Sequence, residues 1–142
     1  NASGAGAGTL VDVYLPRSNE PHLVLEGIPA VGSLIRFRTQ GATAFAGGTS
    51  AVRLSRNGGG PFVPGYGIGG GFTVPLSYDG ATLWCESHPA QMLQSISGGG
   101  IANTAWLRVP SSAAGSTVWA ATIISVAATP ADVSPALSFS IQ

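Results

Sequence analysis

Glycine occupies 21 of the 142 positions, spread so widely that few uninterrupted stretches are long enough to form anything but short elements. Glycine loses the most backbone freedom on ordering and suits turns with positive φ, so a chain rich in it is cut into brief segments. Between the breaks lie apolar runs bounded by Gly, Ser, Pro or Asn, recurring about every ten residues, the spacing expected of an all-β domain.

Within these runs the period is two. Residues 9–15 place Val11, Val13 and Leu15 on one face, with Leu10, Asp12 and Tyr14 on the other, and Pro16 stops the run. A strand over 22–26 follows, closed by Gly27. Over 31–39, Ile35 and Phe37 alternate with Arg36 and Arg38, which predicts apolar side chains inward and guanidinium groups outward. Residues 51–55 repeat this with Val52 and Leu54 against Arg53. Residues 58–71, GGGPFVPGYGIGGG, are too rich in glycine for regular structure and predict a long loop, a feature often tied to function. Further strands are predicted over 71–77, 82–86, 91–97, 103–109, 117–129 and 136–141; residues 90–96 also suit one or two helical turns. No helix-length window carries a 3.6-residue period. The prediction is an antiparallel β-sandwich, jelly-roll-like, of about nine or ten short strands.

Charge is scarce: no lysine, six arginines, six acids and two histidines. Charged residues make up 8% against the usual ~25%. With 44% apolar residues the chain has the material for one core, the reverse of a disordered composition. A flexible leader or hinge over 1–8, rich in Gly and Ala, and a single domain over 9–142 are expected. Low net charge gives little long-range repulsion and favours association. The lone Cys85 excludes an internal disulfide, and no apolar stretch reaches the length of a membrane-spanning helix, so no membrane insertion is expected.

Catalytic patterns are wanting. Cys85 and His88 form C-x-x-H beside Glu86, yet Cys85 shares a strand pattern with Leu83, where free cysteine behaves as a small buried hydrophobe. There is no G-x-S-x-G elbow, and Gly67–Gly71 lacks the Lys-Ser/Thr of a phosphate loop. His22, His88 and the acids are not spaced as a metal motif, and no cofactor is expected, although the acids leave room for an unlocated calcium between chains. Asp79-Gly80 reads as a hairpin turn. Arg36, Arg38, Arg53 and Arg56 on adjacent strands would make only a small basic patch, better explained by pairing with Glu20, Glu26 or Glu86, so no direct nucleic-acid contact is expected. Trp84, Trp106 and Trp119 fall in strand patterns and are expected in the core. Phe62, Tyr66, Ile68, Phe72 and Tyr78, in and beside the glycine-rich loop, form the candidate recognition loop, either exposed for contact or folded back as anchors.

Short β-runs, Gly/Ser/Thr/Ala richness, little charge and a Gly-rich leader together resemble the protruding (projection) domains of nodavirus-like and tombusvirus-like capsid proteins. Complete coat proteins of that class carry a basic RNA-packaging arm, absent here, so the resemblance implies an outer domain. It further implies a non-enzymatic module on the virion surface that self-associates as dimers or trimers, abuts neighbouring capsid subunits and attaches to a host receptor or glycan. The alternative is a secreted carbohydrate-binding domain or phage tail or decoration domain, stacking sugars on loop aromatics such as Tyr66.

Overall fold

The computed structural model describes residues 20–142. The predicted leader and the predicted strand 9–15 lie outside the described residues. In chain order the elements are β1 (His22–Gly27), β2 (Leu34–Gln40), β3 (Thr49–Ser55), β4 (Tyr66–Gly69), β5 (Phe72–Val74), α1 (Gly80–Ser87), α2 (Pro89–Met92), β6 (Leu93–Ser95), β7 (Ala102–Asn103), β8 (Leu107–Arg108), β9 (Thr117–Val126), β10 (Thr129–Val133) and β11 (Leu137–Ser140). They build an antiparallel β-sandwich. One sheet runs β1-β2-β7, with β8 also paired to β2; the other runs β10-β9-β3-β6, with β11 also paired to β9.

The alternation read in β2 is realised: Ile35, Phe37 and Thr39 are buried while Arg36 and Arg38 lie on the outer face. β1 pairs along its whole length and aligns Leu23 and Leu25 with Thr39 and Phe37. Facing them across the interior are Val52, Val118 and Ala120 of the second sheet, with Leu137, Phe139 and Ile141 completing the layer. The run 103–109 is not one strand. β7 and β8 pair with opposite ends of β2, and between them the Thr104 hydroxyl accepts the Phe37 N–H at 3.0 Å, standing in for a ladder bond.

A chain of buried hydroxyls ties the sheets together. Thr39 Oγ1 lies 2.7 Å from Ser50 Oγ, which in turn bonds Thr122 Oγ1, so each of these three hydroxyls has a partner in the dry interior.

The second sheet is covered on its far side too. Ala51, Ala121 and Ile123 pack against Val74 and Leu76, with Tyr66, Ile68 and Trp119 closing over them. The predicted loop 58–71 therefore contains structure: β4 and β5 form a hairpin across this face. Glycine permits that arrangement as well as interrupting it. Gly70 and Gly71, at φ 65° and 82°, make the two-residue turn, and a Cβ on Gly59 would sit 2.6 Å from Trp119. The run predicted over 117–129 also divides, β9 turning at Ala127-Ala128 into β10.

The largest departure is 82–86, expected as a strand and found inside helix α1. Asp79 caps it instead of making a hairpin turn: its carboxylate accepts the Ala81 and Thr82 N–H groups, and the Thr82 hydroxyl accepts the Asp79 N–H. Thr82 and Cys85, three apart, face inward. The helix covers a sheet edge. β6 pairs β3 only over Thr49–Ala51, and beyond it Thr82 Oγ1 donates to the Leu54 carbonyl at 2.7 Å. α2 then takes the first residues of the predicted strand 91–97, leaving β6 three residues long.

Candidate functional site

The five residues of the candidate recognition loop divide between two roles. Phe62, beside Pro61 before the β4–β5 hairpin, is 97% exposed. Tyr66 and Ile68, on β4, pack onto the second sheet as anchors, and Phe72 opens β5 half-buried. Tyr78 lies past the hairpin, half exposed, with its ring edge-on to Tyr66 at 5.2 Å and 89°. Its hydroxyl donates to Glu86 on α1 at 2.5 Å. Perpendicular rings do not form the flat platform on which a sugar stacks, and Tyr66 is largely occupied by its packing. Burial pushes the Tyr66 phenol up to about 12, partly offset by the Arg53 guanidinium. Arg53 belongs to this layer rather than the solvent face expected for it: its Nε and the Tyr66 hydroxyl are buried without hydrogen-bond partners among the described residues.

Two tryptophans expected in the core are at the surface. Trp84 is 41% exposed on α1, stacked on His88 one turn later at 4.1 Å and 16°. Trp106 is 48% exposed between β7 and β8, with the Arg36 guanidinium 4.6 Å from its ring centre. The Trp84–His88 spacing of four would have betrayed that stack had 80–87 been read as helical. Trp106 carries no comparable signal, since its exposure follows from the break in the edge strand. Trp119 does pack against the second cluster.

The two side chains of the C-x-x-H pair are engaged separately. Cys85 is fully buried with Val52 and Met92, and burial raises its thiol to about 11, so it stays protonated near neutrality. His88 Nδ1 instead bonds the Trp84 carbonyl at 2.7 Å, and His22 Nδ1 bonds the Glu20 carbonyl at 3.0 Å. Among the described residues no three His, Cys, Asp or Glu side chains gather as a metal site, and no helix is long and apolar enough to cross a membrane.

The four-arginine patch does not assemble. Glu26 bridges two of its members, Arg36 Nε at 2.6 Å and Arg38 Nη2 at 3.0 Å, on the outer face of the first sheet. Arg53 lies under the hairpin layer, and Arg56 sits near α1, where its guanidinium donates to Ser112 O and Ser116 Oγ. No family model matches this chain, and neither does any curated protein or solved structure.

Proposed function

We propose that this chain is a non-enzymatic surface domain working by association: a virion-surface protrusion that pairs with copies of itself, abuts neighbouring capsid subunits and meets a host receptor or glycan. The observation that carries the reading is the set of large apolar side chains left in solvent. Phe62, Trp84, Trp106 and Tyr78 project from different elements of a surface that has no lysine and no net charge. Such side chains contribute most of the contact energy at interfaces, and few charges oppose their approach. The reading needs a sandwich with these projections and not a particular jelly-roll winding. The carbohydrate-binding or phage-decoration alternative draws less support, because the Tyr66–Tyr78 pair is perpendicular.

Sedimentation equilibrium from micromolar to millimolar concentration tests it. Dimers or trimers are expected, with Trp106→Ser or Phe62→Ser weakening association about tenfold or more while leaving the melting temperature nearly unchanged. A strictly monomeric protein at millimolar concentration overturns the proposal.

A further inference from the structure

At the end of the sandwich where β2 meets β8, a recess lies between described elements of the two sheets. It is a half-open cavity of about 910 Å³ among the described residues, within the range of small-molecule sites. Its walls are apolar side chains from both sheets, among them Ile35 and Leu107 on one side and Leu54, Val118, Phe139 and Ile141 on the other. A half-open recess lined this way presents apolar surface that an apolar ligand would cover.

The polar groups around it say what kind of molecule. Arg56 and Arg108 both line the cavity, and neither has a carboxylate partner among the described residues, where the ion pairs run from Glu26 to Arg36 and Arg38. Among the described residues Arg108 donates to the Gly32 carbonyl at 2.5 Å, and the Arg56 side chain donates to the neutral oxygens of Ser112 and Ser116. Asp79, the acid in the lining, is turned to the protein. Its Oδ1 accepts from Ala81 N and Thr82 N, and its Oδ2 from Ser55 Oγ, Arg56 N and Asn57 Nδ2. Its lone pairs are taken up by these neutral donors, so it has little hydrogen-bonding capacity left for a ligand.

We infer that this cavity binds a single-chain fatty carboxylate, its alkyl chain between the two sheets and its carboxylate at Arg56 and Arg108. An unbranched chain conforms to a recess bounded by side chains of facing sheets, and two guanidinium groups on its rim, without carboxylate partners among the described residues, complement an anionic head. Ser116 supplies a hydroxyl at the same wall. The site is separate from the solvent-exposed Phe62 and Trp106, and its occupation does not depend on the domain associating.

Trp84 also lines the cavity and reports on it through its fluorescence. The test titrates the intact chain with palmitate below its micelle-forming range, in parallel with hexadecanol, which has the same chain without the charge. Saturable binding of one palmitate per chain is expected, with Arg108→Gln and Arg56→Gln each weakening it about tenfold and leaving hexadecanol within about twofold. Arg108 makes one side-chain bond to a loop carbonyl, so its variant is expected to fold, and circular dichroism checks this. Absence of saturable palmitate binding overturns the inference. So does equal binding of palmitate and hexadecanol that neither substitution affects, which marks an unselective apolar surface.

Discussion

β2 and β9 are each the hub of a sheet, yet they meet their surroundings differently. β2 has one dry face, where Ile35, Phe37 and Thr39 meet the opposite sheet, and one wet face, where Arg36 and Arg38 share Glu26. β9 is enclosed from both sides. Its Ala120 and Thr122 look toward the first sheet, its Ala121 and Ile123 look toward the β4–β5 hairpin, and all four are buried. A strand with one wet face must alternate, and one covered twice must not. The small alanines at 120 and 121 allow neighbouring layers to come close on both sides.

The contrast is broken or upheld most directly by truncating successive side chains. On β2 the losses should alternate: Phe37→Ala costs about 3–5 kcal/mol, while Arg36→Ala and Arg38→Ala on either side cost about 1 kcal/mol or less. On β9 they should not, with Ile123→Ala and Ile124→Ala each costing about 2–5 kcal/mol in urea denaturation. A mild Ile123→Ala would show that the glycine-rich hairpin does not seal the second face.

Alkaline titration sharpens the same point at the edge of β3, where α1 seals the sheet. The buried Cys85 thiol is raised from 9.0 to about 11, so the unfolded chain ionises first. The stabilisation is complete below pH 9 and is lost as pH rises toward 11, about 2–3 kcal/mol in all. Tyr66, raised from 10.0 to about 12, adds a smaller loss at still higher pH because it is only half-buried. Urea midpoints between pH 7 and 11 should fall, and Cys85→Ala should flatten the lower part of that slope. An unchanged slope would mean that the thiol is wetter than its packing implies.

The smallest effect concerns how β9 ends. Ala127 and Ala128 hold φ of 53° and 64°, the left-handed region that alanine disfavours, in a two-residue hairpin turn. The pair Ala127→Asn and Ala128→Gly should stabilise by about 1 kcal/mol, read as a rise of roughly 2–4 °C in melting temperature. No gain would indicate a different turn.

Much of the sandwich was legible because its signals are local. β2 and β11 stand close to where their alternation puts them, since each needs only a dry side and a wetter one. The candidate site was less legible. Phe62 and Tyr66 lie four residues apart in the same glycine-rich segment, and only the pairing of β4 with β5 makes one a projection and the other an anchor. The cavity was not legible at all, because its walls come from β2, β3, β8, β9 and β11, and no run of sequence records how closely two sheets approach.

By itself the sequence determined an all-β chain of short elements, with Phe37 inward and its arginine neighbours outward, because period and punctuation act over a few residues. Tertiary structure decided that residues 80–87 coil instead of extend. Leu83-Trp84-Cys85 fits either period, and intrinsic propensities differ by only tenths of a kcal/mol per residue. The choice fell to the Asp79 cap and to the stretch of β3 that β6 leaves uncovered, both of which exist only once distant segments have met.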